Sequence, residues 1–161
     1  MTTKEIIEKY PKIFEHYEGN PGDVNWYGVS NGWLPIIDIL CEAIQNYCDG
    51  TRSIENPDFD PTKEYDREDT TTHRYKHVKR EQVTCVQMKE KFGGLRFYTN
   101  GEDEFVAGMI RMAAYMCDNT CEECGTTEGL GMTSGWISVR CKECAGDRHW
   151  VSKEDWNKQR I

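Results

Sequence analysis

No run of apolar residues in this 161-residue chain approaches the ~20 that a membrane-spanning helix needs. The longest, around Trp33 to Cys41, is broken by Pro35 and Asp38. The opening stretch, MTTKEIIEKY, is charged and lacks the apolar centre of a secretory signal. Internal repeats and low-complexity tracts are missing. So are a nucleotide-binding glycine loop, an HExxH pair and a Ser-His-Asp order. Positive charge is in deficit: 20 Lys and Arg stand against 28 Asp and Glu, a net charge of −8. That balance works against non-specific duplex binding, whose strength scales with the phosphates neutralised. These absences predict a cytoplasmic protein without the commonest hydrolytic or nucleotide-binding machinery.

Five Trp, eight Tyr and five Phe are too many for a solvated, disordered chain, even at a mean hydropathy of −0.78. The length predicts one domain, or one domain with a small appendage. Charge is segregated along it. Residues 49–70 carry eight acidic and three basic side chains, a local −5. Residues 71–96 carry seven basic and two acidic ones, a local +5. A local basic patch can still attract a small anion.

Three helices are expected. Thr2 and Glu5 have the spacing of a capping box, and Ile6, Ile7, Ile13 and Phe14 follow on a helical period that Pro11 should split. A second helix should begin near Pro35, bury Leu34, Ile37, Cys41, Ile44 and Cys48, and end at Gly50. The carboxylate-rich segment 50–72 reads as a long loop, either a solvated excursion or a lid over the basic segment. A third helix should begin at Asn100 or Gly101 and pack a stripe of Phe105, Met109, Met112 and Met116.

The eight cysteines, without a secretory signal, point to metal rather than to disulfides. Cys121-Glu-Glu-Cys124 is followed, after 16 residues, by Cys141-Lys-Glu-Cys144. Two residues between paired cysteines let both sulfurs turn to one point, and two such pairs close a tetrahedral zinc shell. The glycine-rich gap, with a short hairpin through Trp136, Ile137 and Val139, completes the pattern of a zinc ribbon. A closed shell of four thiolates is structural, since no position is left for an activated water. Cys117 and His149 are outside candidates as ligands. His16-Tyr17-Glu18 has the form of a deaminase triplet. However, no proline precedes Cys121, and the second CxxC already completes the shell, so deaminase chemistry is not expected.

The segment VQMKEKFGGLRFYTN, 86–100, reads as a β-hairpin. With Gly93-Gly94 as its turn, Lys91 pairs with Arg96 and Lys89 with Tyr98. One face is then Met88, Glu90, Phe92, Leu95 and Phe97; the other is Gln87, Lys89, Lys91, Arg96 and Tyr98. Like charges opposed across a strand pair repel. An anionic ligand held by Lys89, Lys91, Arg96 and Tyr98 would turn that repulsion into shared attraction. Trp26, Trp33 or Trp136 could neighbour such a site.

The stretches GWLPIIDILCEAI, VQMKEKFGGLRFY and CEECG…GW…C together resemble a family of small uncharacterised proteins from bacteriophages and bacteria. Members of that family often end the ribbon with a histidine, where this chain has Cys144. The resemblance implies a phage or prophage setting in a host cytoplasm and a role by binding, of the kind used in counter-defence; it implies no activity. The combined expectation is an α+β fold: a domain over 1–119, a zinc ribbon over 120–147 and a tail over 148–161. Its function would be non-enzymatic binding of an anionic, nucleotide-like ligand, with a host protein or a nucleic acid as alternative partner.

Overall fold

A computed structural model describes residues 1–16, 27–51 and 53–158, and within these it shows an α+β fold with a cysteine-rich C-terminal unit. Thr2 caps helix α1 (Thr3–Lys9) with the reciprocal Glu5 contact of a capping box. Pro11 ends it, and Tyr10, Ile13 and Phe14 continue into the core as turns. Helix α2 (Leu34–Asp49) has Pro35 in its first turn, buries the expected stripe and stops at Gly50, whose φ is 66°. No helix among the described residues is long and apolar enough to cross a membrane.

The main sheet has the order β1 (Tyr27–Gly28), β4 (Thr84–Lys91), β5 (Gly94–Asn100), with β1 parallel and β5 antiparallel to β4. Its inner face presents Met88, Leu95 and Phe97 to the helices. The hairpin turn falls one residue earlier than the two glycines suggest. Phe92 (φ 56°) and Gly93 (φ 76°) occupy it, so Lys91 pairs with Gly94 and Lys89 with Arg96. A turn moved by one residue moves the register by two, and the faces keep their membership, apart from Phe92. Glu90, the odd carboxylate on the apolar face, explains the shift: its Oε1 accepts the Gly93 N–H at 2.6 Å.

Segment 50–72 is not a featureless loop. Strand β2 (Ser53–Glu55) pairs antiparallel with β3 (Tyr75–His77), forming a separate two-stranded arm. Buried Asn56 closes the intervening excursion by donating from Nδ2 to the carbonyls of Thr70 and His73 at 2.7 and 2.9 Å. The arm consumes much of the neighbouring basic charge: Arg74 pairs with Glu55 and Lys76 with Asp58. Arg80 stacks on Tyr47, 3.9 Å from its ring centroid. Carboxylates of segment 50–72 thus do meet cations of the basic segment, but at Arg74 and Lys76 within the arm.

Helix α3 (Glu104–Asp118) starts later than expected because β5 runs to Asn100, and Asp103 is the cap, accepting the Val106 N–H. Its packed stripe is also displaced. Val106, Ala113 and Cys117 are buried and Met109 packs against the core as expected, whereas Phe105, Met112 and Met116 are exposed. The C-terminal unit carries a three-stranded sheet of order β7 (Val139–Cys141), β6 (Leu130–Thr133), β8 (Trp150–Ser152), with helices α4 (Lys142–Ala145) and α5 (Lys153–Lys158). Residues 148–158, expected as a tail, therefore complete the ribbon sheet and add a helix. Trp136 and Ile137 lie in the β6–β7 connection rather than in a strand.

Candidate metal centre and the adjoining cleft

The sulfurs of Cys121, Cys124, Cys141 and Cys144 lie within 4.8 Å of one another, and those of Cys124 and Cys141 are 3.8 Å apart. Tetrahedral bonds of about 2.3 Å to one ion place sulfurs a little under 4 Å apart, so the donors fit a metal. Two short knuckles deliver them. The first follows α3 and is closed by the Gly125 N–H on the Cys121 carbonyl at 2.9 Å. In the second, Cys141 caps α4, its sulfur accepting the Cys144 N–H at 3.4 Å. Burial opposes ionisation of Cys121, yet nearby backbone N–H groups outweigh it and bring the thiol down to about 7. Burial and the neighbouring thiols push Cys144 up. Four thiols this close cannot all ionise without a cation among them. Cys117, buried at the end of α3, and His149, exposed, stand outside the sulfur cluster.

Arg140 ties the two knuckles together. Its guanidinium reaches Glu122 at 2.9 Å and Glu123 at 3.0 Å on one side, and donates to the Cys144 carbonyl at 3.2 Å on the other. Glu122 is almost fully buried, and burial raises its pKa against the pull of Arg140.

The ribbon is docked on the α+β body by residues 32 and 33. The Gly32 N–H donates to the Glu122 carbonyl at 2.8 Å, and a Cβ on Gly32 would stand 2.2 Å from the Cys121 carbonyl oxygen. Trp33 is fully buried and donates from Nε1 to the Thr120 carbonyl at 3.0 Å. The hairpin tip makes a second contact, with Gly93 against Met132 and Val139 of the ribbon.

Docking leaves a cleft of about 470 Å³ at the junction, between the hairpin tip, the end of α3 and α5. Arg96 enters it from β5 and Lys153 from α5; Phe92, Tyr115 and Trp156 supply aromatic wall. Asp118 lies with them: burial raises its pKa, while Lys153 and Arg96 oppose the rise. Lys153 donates to Asn119 Oδ1 at 2.8 Å and to the Asp118 carbonyl. Among the described residues neither Arg96 nor Lys153 forms a side-chain ion pair.

The four side chains expected to share a ligand diverge. Arg96 lines this cleft, Lys91 lines a smaller one beside Trp136, and Tyr98 borders a third beside α3. Lys89 stands opposite Arg96 on the shared face. Trp33 is core, and Trp26, like Tyr17 and Glu18, lies outside the described residues. Lys153, Trp156 and Asp118 were missed by sequence reasoning. Ser152-Lys-Glu-Asp155 was the available signal: its capping spacing after Trp150-Val151 marks a strand running into a helix, and Ser152 Oγ does accept the Asp155 N–H.

Four thiols on a ribbon, joined to an α+β body, define a protein with a closed four-cysteine centre able to hold a metal ion. Comparison with protein-family models, curated proteins and solved structures finds no match to this chain.

Proposed function

We propose that the protein binds a small anionic ligand of the nucleotide class in the Arg96 cleft, and that a structural zinc ion holds the ribbon that forms one wall of it. A four-thiolate tetrahedral donor set favours zinc or iron, and in the zinc form it leaves no open position for chemistry. The observation that carries the ligand reading is the convergence of Arg96 and Lys153 on one aromatic-walled cleft, against a single carboxylate. A guanidinium offers a planar fork to a phosphate, the ammonium a point charge, and the rings a stacking surface. Lys89, across the strand pair, adds to the field at Arg96. The phage setting implied by the resemblance would make such a ligand a signalling nucleotide.

A thermal-shift panel of mono- and dinucleotides tests this. A ligand at 100 times its dissociation constant should stabilise by about 2.7 kcal/mol, roughly 5–10 °C for a chain of this size. Arg96→Ala should abolish that shift. A second reading, capture of a protein partner, is favoured by the outward face of α3, where Phe105, Met112 and Tyr115 are 57%, 62% and 66% exposed. No shift with any anion, together with an unchanged response in Arg96→Ala, would decide for that partner.

A further inference from the structure

Phe92 sits where the fold has no use for it. It occupies the first position of the two-residue hairpin turn at φ 56°, and it is the one non-glycine among the described residues with positive φ. Asn, Asp or Gly hold that position without strain, and a bulky residue there calls for an explanation. Packing does not provide one, because Phe92 is 69% exposed. Trp136, in the β6–β7 connection, is 74% exposed and lines a cleft that Phe92 also lines. The two rings, with Ile137, Gly135, Lys91 and Glu90, line a mainly apolar cleft of about 290 Å³, the Glu90 carboxylate being held by the Gly93 N–H. That is the size of a site for one ring system rather than for a whole ligand. Phe92 also borders the Arg96 cleft, so the two concavities meet at its ring. Lys91, which lines the smaller cleft, holds its ammonium 5.3 Å from the Phe92 ring centroid.

We propose that Phe92 and Trp136 form a stacking clamp for an unpaired nucleobase, and that the partner of this face is a short single-stranded nucleic acid. This rests on the anion-binding reading of the neighbouring cleft. A base between the two rings would place the adjoining phosphate near Lys91 and Arg96, joining a flat apolar surface to an anion in one ligand. Aromatic platforms beside a cationic track are the physical basis of single-strand binding. The protein's net charge of −8 and its acidic arm disfavour a duplex, whereas a short single strand engages few charges.

The test uses the full-length, metal-loaded protein and two probes: an oligothymidine of roughly ten nucleotides, within the ~4–16 that one single-strand site covers, and inorganic pyrophosphate. Trp136→Ala and Phe92→Asn should each weaken oligothymidine binding by about 10- to 100-fold, since stacking contributes that much per base. Trp136→Ala, whose ring lies outside the Arg96 cleft, should leave the pyrophosphate response unchanged. Phe92→Asn should melt no lower than the parent, because asparagine accepts the left-handed turn; lost binding then cannot be lost fold. Wild-type protein that responds to pyrophosphate but not to oligothymidine overturns the clamp and spares the Arg96 site. Equal oligothymidine affinity in both variants does the same. Silence with both probes removes the clamp and the anion site together.

Discussion

Gly32 shows how one residue can decide the position of a whole unit. Its missing side chain lets the backbone of the first cysteine knuckle lie against the turn that leads into α2. A Cβ there would meet the Cys121 carbonyl oxygen at 2.2 Å and the Gly125 nitrogen at 2.6 Å. These are backbone atoms of the first cysteine knuckle and cannot swing away as a side-chain tip would. Gly32→Ala should therefore destabilise by about 1–3 kcal/mol, the usual cost of overpacking, read as a lowered urea midpoint. It should also weaken metal retention, because the atom displaced belongs to Cys121. Neighbouring Trp33 makes the complementary contribution, filling the core and satisfying the Thr120 carbonyl at the ribbon's first residue. A Gly-Trp pair ahead of a helix thus has a mechanical meaning that its spacing alone does not convey.

Among the elements, the two-stranded arm is the most independent. Its sheet shares no strand with the others, and its excursion is closed by two buried side chains, Asn56 and Thr72. Asn56→Ala removes both closing hydrogen bonds, leaving the Thr70 carbonyl with only the His73 N–H, a local cost of roughly 1–3 kcal/mol. Amide exchange in residues 57–73 should quicken while the main melting transition barely moves. A matching fall in global stability would mean that the arm and core unfold as one. The arm also marks where sequence reading ran short. Helices α1 and α2 were legible because caps, proline and apolar period agreed. The hairpin's two faces were legible because period two survives a shift of the turn by one residue. The turn itself was not: Gly93-Gly94 is the expected pair, and only Glu90's hydrogen bond to the Gly93 N–H favours Phe92-Gly93. Segment 50–72 looked structureless because its order comes from side-chain-to-backbone hydrogen bonds of Asn, Asp and Thr, which have no period. The exposed Phe105, Met112 and Met116 follow from the helix's rotation by part of a turn, with small Ala113 and Cys117 taking the inward positions. A methionine stripe next to such residues does not say which face is buried.

At the scale of the molecule, the ribbon and the α+β body share a single organisation. The cysteines set the ribbon, Gly32, Trp33 and Gly93 seat it, and the seated ribbon supplies Lys153 and Trp156 to a cleft whose other side is the hairpin. The Arg96 cleft and the cysteine cluster are then linked through one body: an ion held by the four cysteines would add folding energy to the ribbon half of the cleft, as it does in small metal-bound units. The four thiolates were the most legible feature of the chain, and they are also its most testable one. The decisive measurement is the metal content of the purified protein, determined by elemental analysis on the wild type and on Cys124→Ser. One zinc ion per wild-type chain is expected, with that ion lost from the variant and a lower melting temperature after chelation. A chain that carries no metal and melts identically with and without chelator would contradict the zinc-held ribbon and, with it, the wall of the cleft.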